Sequence, residues 1–388
     1  MHLLSTSAIL ILCTSHAASI APRKPKSTPV LDCFDSLAPS LPMSAYNTTK
    51  WARPLDLFEA VIGENASVTT IHDNVEDIKR KMPELYLPDD PLPNTARDVA
   101  TELEHFEKRQ ATCSNPRVRI EWDTYTSADK QAWVTAVKCL LRNPASGRFS
   151  GSQNRYEDLV VLHQQMTPRV HGNAMFLLWH RYLLWTFEDM LRRECGFTRP
   201  LPWWDEARYS GRFQQSSVFS SQWLGTMMAR GNCVRDGQFA NLASNVGPGT
   251  RNQRHCLSRN GDESKTANTK QSITEACNAR STFADMAACT EGGAHAWGHN
   301  GIGAVMQDVY GSPADPVFWL HHAYIDRNFR NWQNRDAARR TTTVGGTDAN
   351  RQGITLNTGI TMNGLRADVR VRDILNTQSS TLCYRYSY

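Results

Sequence analysis

Apolar positions recur with helical periodicity in three stretches of this 388-residue chain. In the first, Ser127-Ala128-Asp129 can cap a helix start, and Trp133, Val134, Val137 and Leu141 follow at spacings that share one face. The second runs from about Asn173 to Arg193. Its Phe176, Leu177, Tyr182, Leu183, Leu184, Phe187 and Leu191 leave few polar faces, which predicts a helix buried nearly all round, and Gly196 supplies its stop. The third spans Asp315 to Arg335, with Asp315 as N-cap and Pro316 at the first helical position. Between Thr341 and Gly364 the chain is rich in Thr, Gly and Asn and predicts loops and short strands. The pattern is that of a mainly α domain without internal repeats.

The N-terminal third reads differently. Leu3 to Cys13 is apolar but too short to span a bilayer, and Ala17, Ala18 and Ser19 follow it. These are the marks of a secretory signal peptide over residues 1–19. Lys108-Arg109 is a dibasic pair of the kind cut during proprotein maturation. Residues 1–109 hold 11 Lys+Arg against 15 Asp+Glu, whereas residues 110–388 hold 32 against 23. Pro83, Pro88, Pro91 and Pro93 precede the pair, and the two N-glycosylation sequons, at Asn47 and Asn65, lie on the same side. The expectation is a separate acidic pro-segment over 20–109 and a basic domain over 110–388. The overall net charge of +5, without a cationic stripe, argues against nucleic acid as a partner, and no later segment is apolar enough to enter a membrane.

Cysteine and histidine add the chemistry. Eight cysteines fall in 110–388: Cys113, Cys139, Cys195, Cys233, Cys256, Cys277, Cys289 and Cys383. An even set in a secreted domain can close four disulfides, with the pairing left open, and no Cys-x-x-Cys points to thiolate zinc or redox exchange. Seven of the eight histidines there form two clusters. His163, His171 and His180 are the first; His295, His299 and the pair His321-His322 are the second. His295 and His299, four apart, share a helix face and can chelate one ion. An imidazole such as that of His180 on a buried helix is costly unless paired or metal-bound. Two sets of three imidazoles suit copper, and also zinc; the scarcity of nearby carboxylates argues against a carboxylate-bridged di-iron site.

Long motifs surround these histidines. His171-Gly172-Asn173-Ala174-Met175-Phe176-Leu177-Leu178-Trp179-His180-Arg181-Tyr182, then Glu188 and Leu201-Pro202-Trp203-Trp204-Asp205, resembles the first-copper motif of tyrosinases and catechol oxidases. Asp315-Pro316-Val317-Phe318-Trp319-Leu320-His321-His322-Ala323-Tyr324-Ile325-Asp326-Arg327 resembles their second. Arg117 and Tyr384-Arg385-Tyr386 are similar to the elements that close the family's domain, so the resemblance covers 110–388 and none of 1–109. It implies a four-helix bundle around two copper ions. His163, His171 and His180 would hold the first copper, and His295, His299 and His322 the second. His321 would stand behind the ligands, and Asp326 would orient second-copper imidazoles, the alternative being a pair with Arg327 or Arg330. Trp179, Trp203 and Trp204 are expected in packing.

The resemblance further implies oxidation of ortho-diphenols to ortho-quinones, with O2 reduced to water; the partners are thus a phenolic small molecule and O2. Departures from the family pattern narrow this. Arg169, two before His171, excludes a cysteine–histidine thioether at that place. Val309 matches a residue that gates the pocket and is small. Ala296 follows His295 where many monophenol-hydroxylating relatives have Asn. Glu291 is the candidate for the Glu that, with that Asn, orders a water, and Asn300 could replace the Asn only from another angle. Diphenol oxidation is therefore expected to exceed monophenol hydroxylation. Alternatives are a tyrosinase with substantial monophenolase activity, an ortho-aminophenol oxidase, and an oxygen carrier like the haemocyanins. The last are much larger assemblies with shielded sites.

Overall fold

A computed structural model describes residues 38–46 and 113–388. The expected signal peptide, the Lys108-Arg109 pair and both sequon asparagines lie outside the described residues. Residues 38–46, inside the expected pro-segment, are seated on the domain.

The domain is mainly helical. Helix α1 (Ser127–Arg142) begins one residue earlier than the sequence suggests, because Thr126 is the cap, its Oγ1 accepting from the Asp129 N–H at 3.1 Å. Trp133, Val134 and Val137 are buried on its inner face, while Leu141 is only partly covered. Helix α2 (Arg155–Val170), which carries His163, starts at Asn154, whose side chain accepts from Glu157 N–H. Pro168 sits in its last turn, and the chain turns extended at His171. Helix α3 (Phe176–Cys195) is the buried one, and Gly196 in the left-handed conformation (φ 64°) ends it as expected.

Helix α4 (Phe283–Thr290) runs into a π-turn at Glu291–His295 and on into α5 (Ala296–Ile302). Gly293 departs from helical dihedrals there (φ −91°, ψ −120°). Helix α6 (Val317–Asn334) is preceded by Asp315 and Pro316, and Asp315 Oδ1 accepts from Val317 N–H at 3.0 Å, the expected cap. Helices α2, α3, α5 and α6 form the four-helix centre, with α1 packed outside α2 and α3.

Short strands tie the ends together. A three-stranded parallel sheet has the order β2 (Pro202–Trp203), β1 (Arg117–Glu121) and a C-terminal strand, Tyr384–Tyr386, with Arg117 opposite Tyr384 and Arg119 opposite Tyr386. A two-stranded pair, β3 (Ala243–Ser244) with β4 (His255–Cys256), and another between Gly359–Ile360 and Val369–Arg370 stand apart. The eight cysteines close four disulfides, Cys113–Cys383, Cys139–Cys195, Cys233–Cys256 and Cys277–Cys289. The first joins the two ends of the domain across 270 residues. Among the described residues no helix is long and apolar enough to cross a membrane.

Candidate metal centre

The helices deliver the histidines to one place. His163 comes from the middle of α2, His171 from the residue just past it, and His180 from the second turn of α3. Their ligating nitrogens lie within 4.8 Å of one another. His295 ends the π-turn, His299 sits in α5, and His321 and His322 in α6; these four form a second set by the same measure. The sets adjoin, with the rings of His180 and His322 stacked at 4.6 Å between centroids. Phe176 touches His180 and His295, and Phe318 touches His163 and His322, so apolar rings fill the space around both sets.

Five of the imidazoles are held by backbone carbonyls through Nδ1. His163 bonds Tyr310 O (2.9 Å), His171 Thr167 O (3.1 Å), His180 Phe176 O (2.8 Å), His295 Glu291 O (3.1 Å) and His299 Met306 O (2.6 Å). Three of these carbonyls are four residues back along the same chain. That of Thr167 is one of the C-terminal carbonyls a helix leaves open, so His171 closes the end of α2. That of Glu291 also accepts from the Ala296 N–H across the π-turn. A carbonyl only accepts, so each Nδ1 carries the hydrogen and each Nε2 presents a lone pair.

The consequence is electrostatic. His163 and His180 face each other Nε2 to Nε2 at 3.4 Å, and His299 and His322 do the same. Between His163 and His180, whose Nδ1 atoms both carry the hydrogen, two bare lone pairs at that distance repel, and only a proton or a metal cation between them removes the conflict. Protonation is opposed by burial, which lowers the His163 imidazole to about 4. Burial and neighbouring imidazoles hold those of His171, His180, His295 and His322 well below 6.5. Neutral nitrogen donors, shielded from water and facing each other in threes, fit a pair of metal cations.

His321 differs from its neighbour. Its Nδ1 lies 2.6 Å from Glu206 Oε1, and both groups are fully buried. Burial lowers the His321 imidazole to about 3 and raises the Glu206 carboxyl well above 4.5, so the pair shares one proton and brings no net charge. Gly298 makes room for it, since a Cβ there would stand 2.6 Å from His321 Cε1. Glu206 has no precedent in the motif reading; its only sequence signal is its place directly after Trp203-Trp204-Asp205.

Asp326 requires a correction. Its carboxylate goes neither to an imidazole nor to Arg327 or Arg330. It accepts from Arg181 Nε (2.6 Å), Tyr384 Oη (2.5 Å) and Tyr386 Oη (2.6 Å), with Arg119 Nη1 at 3.4 Å. Burial acts to raise its pKa, but Arg181, Arg119 and the two hydroxyls outweigh it and hold the group below 3.8. A buried carboxylate goes to the full positive charges within reach before a neutral ring. The carboxylate behind the second set is Glu206 instead. Arg119 is buried with its guanidinium 3.5 Å from the Tyr384 ring centroid; it lies outside the histidine motifs, whereas Arg181 lies within one but carries no sign there of its distant partner.

The remaining candidates surround the second set. Ala296 and Val309 are buried against each other, with Tyr310 alongside. Glu291 is buried, one carboxyl oxygen accepting from Gly172 N–H at 2.7 Å, and burial lifts its pKa to about 8. Asn300 is buried, and its Oδ1 has no partner among the described residues. Arg169 is exposed, and all eight described cysteines are in disulfides, so no thioether forms among the described residues. Trp179, Trp203 and Trp204 are buried in packing, as expected.

Against this geometry, comparison with known proteins is decisive. Residues 153–335 match the family model described as the common central domain of tyrosinase. Tyrosinase ustQ of Aspergillus flavus is 31% identical over 291 residues, covering 71% of this chain and 80% of that protein. The chain belongs to the tyrosinase family. N-acetyl-6-hydroxytryptophan oxidase ivoB of Emericella nidulans, 26% identical, covers 74% of this chain and 97% of its own length. Among solved structures, a mutant polyphenol oxidase of Thermothelomyces thermophila shares the fold with a TM-score of 0.64 at 24% identity, covering 81% of this chain and 98% of that one. This tyrosinase-family chain is therefore a type-3 copper oxidoreductase; the family implies a dicopper centre, and two histidine sets are present in the chain.

Proposed function

We propose that this enzyme oxidises ortho-diphenols to ortho-quinones, reducing O2 to water, and hydroxylates monophenols more slowly. His163, His171 and His180 hold the first copper, and His295, His299 and His322 the second. When bound, the copper pair supplies O2 binding and the two-electron oxidation. The protein keeps the imidazoles neutral, fixes five of the six rings through an Nδ1 bond and lines the space with Phe176, Phe318 and Val309. The single observation that carries the preference is Ala296. It is buried, follows His295 and is packed on Val309, so the side chain after His295 offers no polar group to fix a water. Glu291, four before His295, already accepts from Gly172 N–H with one oxygen.

The test is copper loading followed by initial rates on catechol, tyramine and ortho-aminophenol. Catechol is expected to be fastest; faster turnover of tyramine would overturn the preference, and faster turnover of ortho-aminophenol would move the substrate class. Two coppers per chain are expected by metal analysis. The four disulfides support a secreted protein, as the leader sequence implies. N-terminal sequencing of the exported chain should begin near Ile20.

A further inference from the structure

Residues 38–46 lie on the N-terminal side of Lys108-Arg109, in the stretch whose composition marks it as a leader to be removed, yet they are built into the domain. Ala38, Leu41 and Tyr46 are buried, and Leu41 and Tyr46 belong to the same apolar core as the four central helices. The Pro39 carbonyl accepts from the Cys256 N–H of β4 at 3.0 Å. Met43 packs on Gly231, and the Tyr46 hydroxyl bonds Ser258 Oγ at 2.7 Å while its ring meets His255 edge-on. These contacts fall on the loop stapled by Cys233–Cys256 or within two residues of its ends.

That loop leads inward. Gly249 N–H bonds Asp308 Oδ2 at 2.8 Å, and the same carboxylate accepts from Tyr310 and Gly311 N–H. The Tyr310 carbonyl is the acceptor that holds His163. The segment thus covers the outer side of a loop whose inner side reaches the support of a candidate ligand.

Its sequence suits permanent residence. Ala38-Pro39-Ser40-Leu41-Pro42-Met43-Ser44-Ala45-Tyr46 carries no charge, unlike the acidic stretch around it. Pro39 and Pro42 fix two of its φ angles, so less entropy is lost on docking. The eight described cysteines are fully paired with one another, so the hold is non-covalent.

We propose that residues 38–46 are a strap retained by the mature protein, staying bound to the domain after any cut between residues 47 and 112. The strap holds down the Cys233–Cys256 loop, and through it the turn at Asp308. This reading is independent of the substrate and of the metal.

The experiment places the recognition sequence of a site-specific protease between Thr49 and Lys50 of the full chain. The protein is cut, then passed through gel filtration in native buffer and in denaturant without reductant, and its fragments are weighed. The fragment ending at Thr49 is expected to travel with the domain in native buffer, to separate in denaturant, and to leave the unfolding midpoint of the cut protein equal to that of the uncut one. In the double variant Leu41→Ala, Tyr46→Ala, the fragment is expected to be lost on cutting and the midpoint to fall by several degrees. The uncut double variant keeps the segment tethered at high effective concentration and should melt closer to wild type. Release of the wild-type fragment in native buffer would overturn the proposal. So would its retention by the double variant, which would put the hold elsewhere.

Discussion

The two histidine sets reach similar ends by different means. In the first, every imidazole is held by a carbonyl, and the outermost, His171, stands on extended backbone just beyond α2, partly open to solvent. His163 depends on a carbonyl from a distant turn, 308–311, that is itself organised by one buried carboxylate. In the second set all four rings are buried, two of them on α6, and a carboxyl group, Glu206, backs His321 from behind. Beyond its helices, the first set therefore depends on the turn at 308–311, and the second on a buried polar pair. Rigid support is cheapest on an element whose backbone bonds are already satisfied; turns need a group such as Asp308 to satisfy theirs.

Beneath both lies a shared floor. Asp326 on α6 holds Arg181 of α3, so the helix carrying His180 and the helix carrying His322 are pinned together. Asp326→Asn removes the buried charge between Arg181 and Arg119 and should cost about 3–5 kcal/mol of stability by urea unfolding at neutral pH. Both sets should lose copper alike. The folded pKa lies below the ordinary 3.8, so this contribution is complete above that value and fades as the pH falls through the folded one. Wild type and variant should converge in acid. Loss of one set alone would mean the floor is not shared.

Asp308 should separate the sets. Burial, opposed by its three N–H bonds, raises its pKa from 3.8 to about 6. A raised carboxyl favours folding below its unfolded pKa, and that advantage is lost as the pH rises through the folded one. The stability of wild type relative to Asp308→Asn should therefore fall by roughly 3 kcal/mol or less between pH 4 and 7, read by denaturant titration at each pH. A flat difference would show that the turn does not respond to this carboxyl.

Glu206 gives the smallest effect and the most selective one. Glu206→Gln keeps the shape but changes the proton shared with His321, and it should weaken copper at the second set by about 10–100-fold in a chelator competition, leaving the first unchanged. Equal weakening of both sets would dissolve the contrast between them.

Much of this site was legible before any coordinates. The capped, apolar α3 and α6, the four-residue spacing of His295 and His299, and the even set of cysteines all follow from local periodicity or counting. The α2 helix was less visible, because Pro168 interrupts its pattern near the end. Of the carbonyl acceptors, those of Thr167, Phe176 and Glu291 lie four residues before the histidine they hold, within reach of helix geometry; those of Tyr310 and Met306 do not precede theirs and could not be read. Asp326 was misplaced because the family resemblance assigned it to the imidazoles, a partnership that Arg181 and Arg119 take instead.

The sequence by itself determined which side chains can act as ligands, that no thioether forms beside His171, and which helices carry the chemistry, since these depend on residues a few positions apart. The tertiary structure decided which carboxyl backs an imidazole, how the eight cysteines pair, and that residues 38–46 belong to the domain. Those outcomes depend on groups that are distant along the chain and meet only on packing. There, a buried charge or an unpaired carbonyl takes the strongest partner within reach, whatever its position in the sequence.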